Sequence, residues 1–270
     1  MSKSRCHGKV VVVTGGASGI GRATAKRFGE EGARICLLDA DRDVLSDCEE
    51  ELQSKGMDVL ALHCDVTKEQ ECSDAMHGVM EHFGGIDVLI NNAGITQRSA
   101  FVDTTVDVYR RVMDVNFFGS LHCTKAAIAS LIERRGTIIV TESIAGVAPL
   151  LGRSGYCASK HALHGFFTTL RSELRDRGVH VMIVCPGFIR TNLQSRALGG
   201  DGRVTTHPQS RVGKEDTPEH AADAIFRATL KRRDMLVLTG IGKLSYWINR
   251  LFPTFYERIM AQKLRDELVR

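Results

Sequence analysis

The eight cysteines, at positions 6, 36, 48, 64, 72, 123, 157 and 185, include no C-x-x-C pair. Cys36 and Cys185 sit inside apolar, strand-like runs, so the cysteines read as reduced, buried, small hydrophobes. That argues against a disulfide framework and for a cytoplasmic compartment. There is no large charge excess either: 36 basic and 32 acidic residues leave +4, which gives no reason to expect a nucleic-acid partner. Met1 to His7 run straight into an apolar stretch without a long hydrophobic run, so neither a signal peptide nor a spanning helix is expected there. Internal repeats, low-complexity segments and interdomain linkers are also lacking. A chain of 270 residues can bury a substantial core, and one domain is expected.

What is present is a succession of apolar runs and amphipathic segments. Val10 to Thr14 is continuously apolar, as a central parallel strand buried on both faces would be. Thr14-Gly15-Gly16-Ala17-Ser18-Gly19-Ile20-Gly21 follows, then a helical stretch from Arg22 to Glu31. Strand, glycine turn and helix form the context in which backbone can approach a pyrophosphate and a helix N-terminus can face it. A second strand, Arg34 to Leu38, ends in Asp39. A carboxylate there can accept hydrogen bonds from adenosine ribose hydroxyls and would repel a 2′-phosphate. No base sits inside the glycine turn, so NAD(H) is favoured, with NADP(H) the alternative because Arg42 lies three residues on.

A helix is expected over Asp43 to Lys55, a third strand over Val59 to His63, and a helix over Thr67 to Phe83. Asp65 either meets an adenine amino group or caps that helix. Strand four, Ile86 to Ile90, leads to Asn91-Asn92-Ala93-Gly94, whose small residues leave room for a cofactor. A helix over Thr105 to Leu131 contains Asn116, mildly unfavourable there unless it has a role or is simply exposed. Strand five, Thr137 to Thr141, precedes Ser143, and a helix through Leu174 carries Tyr156 and Lys160. Strand six, Val179 to Cys185, breaks at Pro186-Gly187 and brings Thr191 to the same sheet edge. Residues 193–216 lack periodicity and are long for a loop, which points to a lid or a partly disordered segment. Thr217-Pro218-Glu219 starts a helix to Arg233, and Leu236 to Leu238 is a last strand. Repeated β-α alternation means a single-domain Rossmann-type α/β fold: a doubly wound parallel sheet of about seven strands with helices on both faces.

Tyr156 and Lys160, four residues apart on a helix, share one face. A phenol of ordinary pKa ~10 beside an ammonium is a recipe for a proton donor at neutral pH, although such a pair is also common as surface decoration. Taken with Thr14-Gly15-x-x-x-Gly19-x-Gly21, Asn91-Asn92-Ala93-Gly94, Ser143 and Pro186-Gly187, the pair resembles the short-chain dehydrogenase/reductase family, and the spacing resembles its "classical" subgroup. The resemblance spans roughly residues 8 to 240, with five motifs in order. It implies that Tyr156 is the catalytic acid/base, that Lys160 lowers its pKa and binds the nicotinamide ribose, and that Ser143 holds the substrate oxygen. Asn116 falls at the family's fourth catalytic position, where it supports a water-linked proton relay through Lys160. Gly15, Ser18, Gly19, Ile20 and Gly21 would wrap the pyrophosphate. Asp39, Asp65, Val66, Asn92, Ala93 and Gly94 would line the adenosine half, and Pro186, Gly187, Ile189 and Thr191 the nicotinamide. The implied reaction is hydride transfer between the nicotinamide and a CH–OH or C=O group. The resemblance also implies a homodimer or homotetramer, and a dinucleotide-binding regulatory protein is the rival of another class.

Residues 1–240 thus read as the dinucleotide-binding and catalytic part, and 241–270 as an amphipathic extension. Leu244, Trp247, Ile248 and Leu251 keep helical spacing, Pro253 interrupts, and Phe255, Tyr256, Ile259, Met260 and Leu264 resume the stripe. Lys243, Arg250, Arg258, Lys263, Arg265 and Arg270 outnumber Glu257, Asp266 and Glu267. Three readings stand: a helix packed on its own domain or a partner subunit, a lid over an apolar pocket, or a basic segment on a membrane surface. Ile144, Val147, Ala148, Pro149, Leu150 and Leu151 form an apolar run beside Ser143, with no obvious charge to hold a carboxylate or phosphate. The expected substrate is a hydrophobic alcohol or ketone of steroid, retinoid or long-chain type, and the expected location cytoplasmic, peripheral to a membrane if the tail lies on one.

Overall fold

The valine run Val10–Thr14 becomes β1, every residue of it buried, and the rest of the sheet is laid down on either side of it. The computed structural model describes residues 6–206 and 215–268. Within these, β2 (Arg34–Asp39) and β3 (Val59–His63) flank β1 on one side. On the other lie β4 (Val88–Asn91), β5 (Thr137–Thr141), β6 (His180–Cys185) and β7 (Met235–Val237). The order is β3-β2-β1-β4-β5-β6-β7 and every pairing is parallel. Chain direction across the sheet reverses between β1 and β4, where an open α/β sheet leaves a crevice at its carboxyl edge.

Alternation along each strand feeds two cores. Val10, Val12, Cys36, Leu38 and Val140 face α3 (Glu69–Phe83), α5 (Gly119–Glu133) and α6 (Ser154–Leu174), with Met76 and Phe167 among the fully buried side chains there. Val11, Val13, Ile35, Leu37 and Ile139 face α1 (Gly19–Gly29), α2 (Arg42–Ser54) and α7 (Pro218–Leu230). Phe28 and Phe226 meet edge to face at 5.1 Å and join α1 to α7. Truncating Phe28 to alanine would cost ~3–5 kcal/mol. All eight cysteines are free and all but Cys157 are buried, as expected of small hydrophobes.

Element limits shift where side chains replace backbone partners. β4 begins at Val88 rather than Ile86, whose amide donates to Ser130 Oγ (2.8 Å), and the Asp87 carboxylate accepts from the Val10 amide (3.0 Å). The long helix expected over 105–131 is α4 (Val106–Met113) running through a π-helical turn, Asp114–Phe118, into α5. Two further helices close the chain, α8 (Gly240–Leu251) and α9 (Pro253–Lys263), separated at Pro253 as the sequence suggests. No described helix is long and apolar enough to cross a membrane. Of the long loop, residues 193–206 are described and pinned by Leu198, whose amide donates to the Thr96 carbonyl (2.9 Å) and whose carbonyl accepts from the Arg98 amide (2.8 Å). Residues 207–214 of that loop, like 1–5 and 269–270, lie outside the described residues.

Candidate active site

A cleft of about 820 Å³ runs along the carboxyl edge of the sheet, from Asp39 and Asp65 at one end, past the glycine turn, to Tyr156 and the two C-terminal helices. Its first half is built from backbone. Gly15, with φ +59, sits so close to Ala93 that a Cβ would lie 2.9 Å from the Ala93 Cα. Gly21 does not line the cleft. It is the floor of the turn, where a Cβ would collide with the Gly15 carbonyl and come within 2.6 Å of Asn92 Nδ2. Asn92 Nδ2 donates to the Thr14 and Gly15 carbonyls (3.1 and 3.2 Å), so this side chain holds the turn while the residue lines the cleft. Thr14 Oγ1 completes the clamp by accepting from the Asn92 and Ala93 amides (2.9 and 3.0 Å), a role the sequence reading missed.

Asp39 is fixed by the Ala17 and Asp41 amides, each at 3.2 Å, with its carboxylate facing the cleft. Arg42 lies instead in a separate shallow groove with Leu62, His63 and Glu71. Arg196 does line the cleft near Asp39 and pairs with Asp41 at 3.7 Å. Asp65 Oδ1 accepts from the Thr67 amide and hydroxyl (3.1 and 2.8 Å), which shapes the turn before α3 and leaves Lys68 as the residue preceding the helix. Val66, Ala93, Gly94, Pro186, Gly187, Ile189 and Thr191 line the cleft, as do Ser18, Gly19 and Ile20 at the N-terminus of α1. An open backbone cradle, a helix N-terminus and a fixed carboxylate at the β2 end together fit a dinucleotide such as NAD.

The second half holds the hydroxyl chemistry. Ser143 follows β5, accepts from the Ala145 amide (3.1 Å), and lines the cleft together with Tyr156. Tyr156 and Lys160 are buried rather than decorating the surface, and Lys160 Nζ lies 5.7 Å from the Tyr156 ring centre while donating to the Thr141 carbonyl (2.8 Å). The expectation that Lys160 draws the phenol down is not what governs this cavity. Burial pushes Tyr156 up to about 12, opposed first by the Ser143 hydroxyl and then by the Arg153 guanidinium. Burial also pulls Lys160 down to about 8, against the attraction of Glu142.

Asn116 is fully buried, which rules out the exposed-asparagine alternative, yet it does not line the cleft. Its carboxamide bridges Ile95 backbone, accepting from the amide (2.8 Å) and donating to the carbonyl (3.0 Å), and donates to Ser159 Oγ (2.8 Å). Ser159 in turn donates to the Tyr156 carbonyl (2.8 Å). The π-helical turn aims Asn116 at this junction, and such turns concentrate at functional sites. Asn116 therefore ties the β4 exit to the helix bearing Tyr156.

The tail forms the far wall. Ile248, Ile259, Met260 and Leu264 line the cleft, and Asn249 Nδ2 donates to the Val147 carbonyl (2.8 Å). Other members of the same stripe turn outward: Trp247 is 56 % exposed, Leu251 63 % and Phe255 56 %. The absence of charge expected near the substrate end needs correction. Arg153 and Lys263 line the cleft, and Arg153 is buried, donating to Gln194 Oε1 (3.0 Å). Burial lowers Arg153, and Glu267, buried at the end of the tail, opposes that most strongly. An arginine flanked by Gly152 and Ser154 carries no motif, and only the tertiary fold brings Glu267 to it.

With this geometry in place, comparison with known proteins assigns the class. The family profile described as short chain dehydrogenase matches residues 9–199. Dehydrogenase/reductase SDR family member 7B of Xenopus tropicalis is 37% identical over 266 residues, covering 96% of this chain and 86% of the relative. Dehydrogenase/reductase SDR family protein 7-like of Drosophila melanogaster is 32% identical, covering 97% and 82%. Among solved structures, a short chain dehydrogenase/reductase from Burkholderia phymatum in complex with NAD superposes with TM-score 0.83 over 94% of this chain and 96% of that one, at 23% identity. An alcohol dehydrogenase from Thermococcus sibiricus complexed with 5-hydroxy-NADP gives 0.74 over 85% and 95%, at 27% identity. The chain belongs to the short-chain dehydrogenase/reductase family of NAD(P)-dependent oxidoreductases.

Proposed function

We propose that this chain interconverts a hydrophobic secondary alcohol and its ketone using NAD(H). The observation that carries this reading is one cleft that brings Ser143, the buried Tyr156 and Lys160 together at one end and offers Asp39 to a ribose at the other. The bound nicotinamide supplies hydride acceptance or donation. Gly15, Ser18, Gly19 and Ile20 would hold the pyrophosphate, Asp39 would accept from the adenosine ribose hydroxyls, and Lys160 would bind the nicotinamide ribose. Ser143 Oγ donates to the substrate oxygen, and Tyr156 Oη receives the alcohol proton in oxidation or returns it to the developing alkoxide in reduction. A phenol held up to about 12 suits the second task, since it arrives protonated.

Ile144, Ala148, Leu150, Ile248, Ile259 and Met260 support an apolar substrate of steroid, retinoid or long-chain type. The exposed Trp247, Leu251 and Phe255, beside the exposed Lys243, Arg250 and Arg258, support contact of this tail with an anionic membrane surface from which such a substrate would enter. NADP(H) is the second reading, favoured by Arg196 at the adenosine end. Calorimetric titration of the purified chain with NADH and NADPH tests the choice. Tighter NADH, weakened by Asp39→Ala, supports Asp39 as selector. Tighter NADPH, weakened by Arg196→Ala, overturns it in favour of ketone reduction with the phosphorylated cofactor.

A further inference from the structure

Helix α6 places Tyr156, Lys160 and His164 at intervals of four, one stripe along one face. The reaction derived above uses the first two and leaves His164 without a part. His164 is half-buried, and its Nδ1 lies 3.1 Å from Glu142 Oε2. Glu142 is 2 % exposed, stands between the end of β5 and Ser143, and lines the cleft. Cys185 Sγ also points at its Oε2 (3.7 Å). The chain leaves room for this carboxylate: a Cβ on Gly146 would collide with Glu142 Oε1. Lys160 Nζ, meanwhile, is bonded to the Thr141 carbonyl, which belongs to the peptide group that Glu142 completes (2.8 Å). A buried ammonium and a buried carboxylate at adjoining positions are each costly alone and tolerable together.

We propose that Glu142, anchored by His164, is a positioning residue for the reaction read above: it is the buried counter-ion that keeps Lys160 an ammonium beside Tyr156. The proposal rests on that reading for its catalytic meaning, and on the cluster itself for its physical content. The groups that face each other are these. Glu142 is pushed up by burial and held down by His164, Lys160 and Cys185. Lys160 is pulled down by burial to about 8 and held there chiefly by Glu142, with Cys185 behind it. His164 is raised by Glu142, while Arg171 and, from the tail, Arg250 oppose. Tyr156 faces Ser143, Arg153, Cys157 and Glu142. Without the carboxylate, the main opposition to desolvation is lost, and the ammonium gives up its proton more readily.

The test is an NMR pH titration of the full chain carrying 13Cε-lysine, with the Lys160 resonance assigned through Lys160→Arg and no cofactor present. Glu142→Gln is expected to lower the Lys160 midpoint by at least about one pH unit, tenfold in proton affinity. His164→Asn is expected to lower it by less, because a carboxylate stripped of its imidazole takes up a proton itself. Glu142→Asp, which keeps the anion, is expected to restore part of the loss. An unmoved Lys160 midpoint in Glu142→Gln overturns the proposal. If that variant does not fold, an unmoved midpoint in His164→Asn, a half-buried and milder change, overturns it equally. The titration needs no turnover, so it can fail while NADH binding and alcohol oxidation succeed, or succeed while they fail.

Discussion

The two ends of the cleft are built by opposite means. The dinucleotide end is a matter of near neighbours at strand ends: Gly15 against Ala93, Asn92 on the Thr14 and Gly15 carbonyls, Asp39 on the Ala17 and Asp41 amides. Its partners are backbone groups fixed by β1, β2 and β4, so residue type matters mostly through size and hydrogen-bonding geometry. The substrate end is assembled from segments far apart in the chain. Asn249 reaches the Val147 carbonyl, Arg153 reaches Gln194, and the charge of Glu267 acts on Arg153 and Arg98. The first end is a rigid socket carried by the sheet. The second is a set of tertiary contacts, each replaceable, over an apolar wall.

That difference predicts which changes separate cofactor from substrate binding. The largest effect is expected at Gly21. Gly21→Ala puts a Cβ into the Gly15 carbonyl, and NADH affinity should fall by about 100-fold, equivalent to ~2.7 kcal/mol, in a calorimetric titration. A protein binding NADH normally after this change would break the rigid-socket picture.

Next in size is a stability effect at Lys160. Its folded value of about 8 lies below the unfolded 10.5, so the unfolded chain binds more protons between those limits. The contribution is fully unfavourable below pH 8 and fades as pH rises toward 10.5. Lys160→Met removes this titration, so the stability of the wild type relative to the variant should rise by ~2 kcal/mol between pH 7 and pH 10. Urea denaturation of both proteins across that range measures it, and a gap independent of pH would contradict the buried ammonium.

A smaller and selective effect is expected on the apolar wall. Ile248→Ser should raise KM for a lipophilic alcohol about tenfold, ~1.4 kcal/mol, and leave NADH affinity within about twofold. Smallest is Asn249→Ala, which removes one bond to the Val147 carbonyl. It should raise the same KM a few-fold, in keeping with ~1 kcal/mol for a hydrogen bond. If either change weakened NADH as much as the alcohol, the two ends would not be separable.

The same contrast explains how much of the molecule is legible in its sequence. Strand ends and the glycine turn are local signals, and repeated β-α alternation implies a parallel sheet. Asp39 and Ser143 therefore read as strand-end residues from the sequence alone, while the resemblance of the motifs joins Tyr156 and Lys160 to Ser143. Asn116 was legible as an oddity but not as a buried bracket, because its partners Ile95 and Ser159 meet it only through a π-helical turn. Glu142 carried a weak signal, a carboxylate ending an apolar strand just before Ser143. Arg153 and Glu267 carried none, since their meaning lies in a contact across the fold. The tail stripe was visible as apolar spacing, yet only packing divides it into the cleft-lining Ile248, Ile259 and Met260 and the exposed Trp247, Leu251 and Phe255.

The most direct test of the account is rapid mixing of Tyr156→Phe with NAD+ and a lipophilic secondary alcohol that the wild type oxidises, following nicotinamide absorbance at saturating cofactor. The account predicts NADH affinity within about threefold of wild type, because the phenol proton is not part of the socket, and hydride transfer slowed by about 10³-fold or more, since positioned general acid–base catalysis contributes ~10²–10⁴. Undiminished hydride transfer in Tyr156→Phe would contradict it.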